Sequence, residues 1–268
     1  MKIIHSTAVI ADTVELGRDV CIGPYCCLDG NVVLGDNCQL DTHVVVTGNT
    51  IIGADTRIFP FASIGHISQD LKYDGEGVSL EIGARNTIRE HVTMNPGTGQ
   101  GGGVTRVGDD NLFMVGVHVA HDCFVGNNVI MANNATLGGH VTVADYAILG
   151  GLVGVHQFAR IGAHSFVGAG SLVTEDVIPF GMVSGNRAVL GGLNLVGLKR
   201  RDFEREEINA LRAAFKDIFM TQDATFQTRV LRARETYAES DLVNQMIDFI
   251  LVEKSRGYCL PSASPSGA

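Results

Sequence analysis

The segment His118-Val119-Ala120-His121-Asp122 places two histidines and a carboxylate within five residues. Histidine is the side chain best suited to accept a proton near neutral pH, and an adjacent aspartate can orient or polarise its ring. Eighteen residues beyond Ala120, His121 and Asp122 come Gly138, Gly139 and His140; eighteen further beyond Gly138 and Gly139 come His156 and Gln157. If residues eighteen apart stack, these side chains form one compact patch. Gly139 and Gln157 then lie over His121, and His140 over Asp122. A glycine beside an imidazole can expose a backbone N–H to a developing oxyanion. Such a group fits acyl transfer onto a hydroxyl, with no covalent intermediate required. A lone histidine is more often structural than catalytic, but a stacked cluster reverses that balance. The competing chemistry is a zinc site of the kind found in carbonic-anhydrase-like solenoids, which needs three ligands converging at about 2.0–2.1 Å. The patch is rich in groups suited to sugar and phosphate hydrogen bonds and has no suitably placed cysteine, so no metal is assigned.

The elements that must position this patch are written in a period of six. Ile4, Ile10, Leu16, Ile22 and so on to Ile64 give eleven aliphatics without a miss. A second series runs from Val107 to Val173 with twelve, and Ile82, Ile88 and Met94 form a third. Helices repeat near 3.6 and strands at 2, so the pattern belongs to neither alone. It predicts a parallel β-helix of triangular coils, eighteen residues each, spaced about 4.8 Å apart. The ladder breaks twice. A loop is expected over 66–79, where the period would otherwise bury Asp70 and Glu76, and a Gly-rich protrusion over 95–105. Excursions from a rigid solenoid are common places for binding groups.

Past Val173 the period fades. The expected division is a β-helix over 1–190, a C-terminal helical domain over 191–257 and a disordered tail over 258–268. Helices are expected at Asp202–Met220, at Thr225–Ala238 and after a Ser240 cap. They would cover the open end of the prism.

Composition narrows the function classes. Net charge is −9, which argues against general nucleic-acid binding. Twelve of the twenty Lys and Arg lie from residue 187 onward, either a solvated face or a docking patch for an acidic partner. Six cysteines without CxxC spacing suggest a reducing compartment. The N-terminus lacks a signal-peptide apolar core, and no apolar run is long enough to span a bilayer. A cytoplasmic protein without stable membrane insertion is expected.

Several strings are more specific than the hexads: Phe61-Ala62-Ser63-Ile64-Gly65, Gln69-Asp70-Leu71-Lys72-Tyr73, Gly101-Gly102-Gly103, His118 to Cys123, Ala132 to Leu137, Val155-His156-Gln157-Phe158 and Gly197-Leu198-Lys199-Arg200-Arg201. Over nearly the whole chain they resemble the bacterial UDP-N-acetylglucosamine acyltransferases of lipid A synthesis. The resemblance implies a left-handed parallel β-helix of hexapeptide repeats with a C-terminal α-helical domain, assembled as a homotrimer with sites between adjacent prisms. It implies transfer of a 3-hydroxyacyl chain from acyl carrier protein to the 3-hydroxyl of UDP-N-acetylglucosamine, without a cofactor. By the same resemblance His121 matches the general base, Asp122 its partner and Gly139 the oxyanion donor. Asp70 and Lys72 match substrate-contacting loop residues; His118, His140, His156 and Gln157 match the pocket lining. Asn194 and Arg200 match nucleotide or phosphate contacts, and Ala169 the position that gauges acyl length. Asn95-Pro96 stand where a His-Arg pair is often found, Arg187 where His is common, and Val196 replaces an acidic residue. An acetyl-coenzyme A dependent acetyltransferase on the same prism is the alternative enzyme. Some relatives use a 3-amino sugar instead.

Overall fold

The computed structural model describes residues 3–71, 73, 75, 77–252 and 256–262. Short parallel strands, mostly two residues long, recur every six residues and stack into a β-solenoid of about ten coils. In the two-residue strands the ladder residue is the second, as in Leu112–Phe113, His118–Val119 and Phe124–Val125. Val119 pairs with Leu137, and Leu137 with Val155, so residues eighteen apart are neighbours. The interior is a column of aliphatics from Ile22 to Val183, nearly all fully buried. Ile4 is exposed and Ile10 and Leu16 only partly covered, because no coil lies beneath the first one.

The strands fall into an eleven-stranded sheet that forms one wall and a fifteen-stranded sheet that forms the other two. Those two walls are joined by the eight-residue strands Cys27–Leu34 and Val45–Ile52, which run past a corner without a turn. At other corners the chain turns through a left-handed residue three places after the ladder position. Along one edge these are Asp122 (φ 58°), His140 (φ 61°) and Phe158 (φ 66°). Asn, Asp and His are the side chains that tolerate this conformation best.

The two ladder breaks are excursions from that same edge. Ile64 pairs with Met94, thirty residues on, so twelve residues are looped out between them. Met94 pairs with Val119 at a spacing of twenty-five, which loops out seven more. Strands resume at Ser79 after the first excursion and at Val104 after the second.

The prism ends in an antiparallel hairpin, Gly181–Ser184 with Val189–Leu193, a few residues past the expected boundary at 190. Helices α1 (Leu195–Arg200), α2 (Arg205–Phe215), α3 (Phe226–Thr236) and α4 (Asp241–Leu251) follow. Ser240 caps α4 through the Val243 amide, as its position implied, and Thr225 caps α3 through Thr228. The single helix expected over Asp202–Met220 is corrected. It starts at Arg205, after a left-handed Asp202, and its last five residues, Lys216–Met220, widen into a π-helix. The disordered tail expected from 258 is also corrected at its start. Tyr258 and Cys259 are buried, and Cys259 N–H and Asp176 carbonyl are 2.9 Å apart. Residues 263–268 lie outside the described residues. Among the described residues no helix is long and apolar enough to cross a membrane.

Candidate active site

Four features meet at the edge marked by Asp122 and His140. Coil stacking sets His140 above Asp122, with the His140 N–H donating to the His121 carbonyl at 3.0 Å. Stacking likewise sets Gly139 above His121. A methyl at Gly139 would stand 2.5 Å from Cε1 and Nε2 of the His121 ring, so only glycine leaves room for the imidazole. The amides flanking Gly139 are committed to the coil ladder, Gly138 to Val155 and His140 to His121; among the described residues the Gly139 N–H has no part in that ladder.

His121 Nδ1 lies 2.8 Å from Asp122 Oδ2. The Asp122 side chain is only 1% exposed and is held from the Gly-rich excursion. The Thr98 amide donates to Oδ1 at 3.0 Å and the Thr98 hydroxyl to Oδ2 at 2.7 Å. Burial pushes the Asp122 carboxyl up, but the hydrogen bonds from His121 and Thr98, with His140 adding, outweigh it and hold the group below its ordinary value. A fixed carboxylate acceptor requires the proton of a neutral His121 ring on Nδ1. Nε2 is then the basic nitrogen, 4.0 Å from Asp70 Oδ2.

Around this pair, His140 stands edge-on to His121 at 5.2 Å and stacks on Phe158 at 4.4 Å. Burial lowers the proton affinity of His140, with Asp122 partly restoring it. His118 is lowered too, by burial and then by His121, and its Nδ1 sits 2.7 Å from the Thr93 hydroxyl. Both are therefore neutral polar donors or acceptors at neutral pH. Burial pushes the Cys123 thiol up to about 12, which removes it as a nucleophile. A cleft of about 490 Å³ opens over the pair, lined by Gln69, Asp70, Leu71, Asn95, His118, Ala120, His121 and Gln157.

His121, Asp122 and His140 also offer ligand atoms within 4.8 Å of one another. A cation there would have to take over the carboxylate oxygens that His121 and Thr98 already use. The geometry favours a proton relay over a metal centre.

Of the residues singled out in the sequence, His118, His121, Asp122, Gly139, His140, Asp70 and Gln157 converge. His156 stands beside them, its Nδ1 2.9 Å from an Arg256 guanidinium nitrogen. Lys72 lies outside the described residues. Asn194 and Arg200 do not join the cluster within one chain. They line a separate, apolar pocket of about 500 Å³ with Ile148, Phe166 and Met182, strands of the other sheet. Asn194 caps α1, accepting from the Gly197 amide while its own amide donates to the His164 carbonyl. Ala169 is exposed on the turn after Val167 and does not line the cleft. Thr98, Thr93 and Phe158 were missed. The seven-residue excursion shifts the spacing, so Thr98 reaches Asp122 across twenty-four residues and escapes an eighteen-residue ruler.

Residues 176–259 match a family model described as UDP N-acetylglucosamine O-acyltransferase, domain 2. The acyl-[acyl-carrier-protein]–UDP-N-acetylglucosamine O-acyltransferase of Rhizobium johnstonii is 46% identical over 264 residues, 98% of this chain and 97% of that protein. The protein of the same name from Rickettsia canadensis is 51% identical over 256 residues, 96% and 97% of the two chains. The solved UDP-N-acetylglucosamine acyltransferase of Francisella novicida superposes with a TM-score of 0.93 at 37% identity, over 98% of this chain and 95% of that one.

Proposed function

Because the chain belongs to the acyl-[acyl-carrier-protein]–UDP-N-acetylglucosamine O-acyltransferase family, we propose that His121 is the general base of this acyl transfer. The acceptor is the 3-hydroxyl of UDP-N-acetylglucosamine, the donor a 3-hydroxyacyl thioester of acyl carrier protein, and the pathway lipid A synthesis. The observation that carries the assignment is the 2.8 Å bond from His121 Nδ1 to a carboxylate fixed by Thr98. It orients the ring and turns Nε2 into the basic atom.

In this reading Nε2 takes the proton of the sugar hydroxyl as its oxygen attacks the thioester carbonyl. Asp122 stabilises the imidazolium that forms. The Gly139 N–H donates to the tetrahedral oxyanion. Collapse breaks the C–S bond, and the departing thiolate of the carrier takes the proton back from His121. Neutral His118 and His140, Gln157 and Asp70 offer hydrogen bonds to the sugar nucleotide. By the family resemblance Lys72 and His156 also serve the substrate, His156 standing next to Gln157 in the chain.

The active assembly is a homotrimer. Asn194 and Arg200, which bound α1 and line the apolar pocket, and Ala169, exposed on the turn after Val167, stand away from the His121 cleft, which supports a site completed by a neighbouring subunit. There Asn194 and Arg200 serve the nucleotide, and Ala169 gauges the acyl chain. The basic residues from Lys199 onward suit an acidic carrier. All six cysteines are free thiols, in keeping with a reducing cytoplasm.

The test is His121→Ala assayed with UDP-N-acetylglucosamine and a panel of acyl carrier proteins, with products read by mass spectrometry. The variant should fold and assemble like the parent and lose at least about 10²-fold in turnover. Retained turnover would overturn the assignment. Activity with acetyl-coenzyme A, indifferent to the carrier, would favour the acetyltransferase alternative. The product mass gives acyl length, and its fragmentation tells ester from amide.

A further inference from the structure

Asn95 lies at the point where both excursions leave the prism. It directly follows the ladder residue Met94, and its own N–H donates to the Val119 carbonyl in the coil above, at 3.0 Å. In the coil below, the matching position is Gly65, where the chain leaves the wall at φ +84°. The two residues after Gly65 therefore no longer run alongside the coil above, and their carbonyls lose the place where ladder N–H groups would meet them. The Asn95 side chain takes that place. Its amide nitrogen donates to the His66 carbonyl at 2.9 Å and to the Ile67 carbonyl at 3.2 Å. Asn95 is 6% exposed, so these bonds are shielded from competing water.

The loop thus held leads straight to the reaction centre. Ser68 is buried, and its hydroxyl accepts from the Asp70 N–H at 3.1 Å. Asp70 then presents its carboxylate 4.0 Å from His121 Nε2. Three residues beyond Asn95, Thr98 grips Asp122 from the other side. One short excursion therefore holds both acidic partners of His121, Asp122 directly and Asp70 through the first loop.

We propose that Asn95 is a positioning residue: its amide latches the loop that begins at His66 onto the prism and thereby sets where Asp70 stands relative to His121. This rests on the reading of His121 as the base of the acyl transfer. Neither Asn95 nor the carbonyls it holds need touch substrate for the latch to work. Aspartate at 95 keeps the shape but presents an oxygen where the NH2 stood, so it faces two carbonyl oxygens with repulsion instead of donation. Alanine leaves both carbonyls unpaired.

The experiment compares the parent with Asn95→Ala, Asn95→Asp, Asp70→Asn and the Asp70→Asn/Asn95→Ala double variant. Two readouts are taken: kcat and KM for UDP-N-acetylglucosamine at saturating acyl carrier protein, and hydrogen–deuterium exchange of peptides covering 66–78. Asn95→Ala and Asn95→Asp should exchange faster in that peptide and not in prism peptides such as 124–143. They should lose at least about tenfold in kcat/KM, the scale expected for a misplaced group. In the Asp70→Asn background the further loss should shrink to clearly less than about tenfold, since the part of the latch's effect that acts through Asp70 is already gone. Parent-like exchange over 66–78 in both Asn95 variants would overturn the proposal, and so would an undiminished tenfold loss on top of Asp70→Asn. Failure of the acyl-transfer reading is distinguishable: the parent itself would then be inactive on these substrates, while the exchange readout would still decide the latch.

Discussion

At the scale of the residue, the site depends on a close approach as much as on the groups that react. His121 can sit against the prism because position 139 has no side chain; the ring atoms Cε1 and Nε2 occupy the space a Cβ would need. Gly139→Ala should therefore fold with a near-parental Tm, because the His121 side chain can swing outward. It should lose at least about 10²-fold in kcat, since the ring leaves its bond to Asp122. Thermal unfolding alongside single-turnover kinetics checks this: parental turnover would mean the ring tolerates displacement. The residue types here were readable in sequence because His, Asp and Gly recur at spacings of eighteen. Thr98 was not, because its contact with Asp122 crosses an excursion of irregular length.

At the scale of the element, the helical end is clasped to the prism around His164. Its ring stacks on Tyr146 at 4.8 Å and on Phe180 at 5.6 Å, and Phe203, just ahead of α2, meets it edge-on at 5.1 Å. Its buried Nδ1 has no hydrogen-bond partner among the described residues. Burial, and then the nearby Arg201 charge, push its pKa down to about 4, with Asp145 opposing. A depressed folded value means the unfolded chain binds the proton more readily. The neutral clasp thus contributes fully above about 6.5, and its contribution falls away as pH drops toward 4, by up to about 3 kcal/mol. His164→Phe keeps the stacking without the charge. Its unfolding free energy should fall less than the parent's between pH 7 and 4.5 in urea titrations; equal losses would discount the clasp. Sequence periodicity indicated helices in this region, but not that Tyr258 and Cys259 return to pack against the prism, because that contact joins segments over eighty residues apart.

At the scale of the whole molecule, the candidate site residues are divided between two faces of the chain. His121 and its cleft belong to the edge from which both loops leave, whereas Asn194 and Arg200 line an apolar pocket against the other sheet. A trimer that brings these surfaces together predicts complementation. His121→Ala and Arg200→Ala should each be strongly impaired alone. Co-expressed at equal levels with different tags and purified as mixed assemblies, they should regain about a third of parental activity, since one of the three sites in every mixed trimer draws an intact residue from each subunit. No recovery in verified mixed assemblies would place both residues in one subunit's site.

The sequence alone determined the repeat. A buried aliphatic every sixth residue admits only a stacked coil, and an unbroken run from Val107 to Val173 fixes which residues lie over His121. It also pointed to both excursions: the period would have buried Asp70 and Glu76, and the step of thirteen from Met94 to Val107 breaks phase. Tertiary structure decided what the excursions do. Whether Thr98 grips Asp122 and Asn95 grips His66 and Ile67 depends on how irregular loops fold back on the prism. Those contacts follow no period, so only the folded chain specifies them.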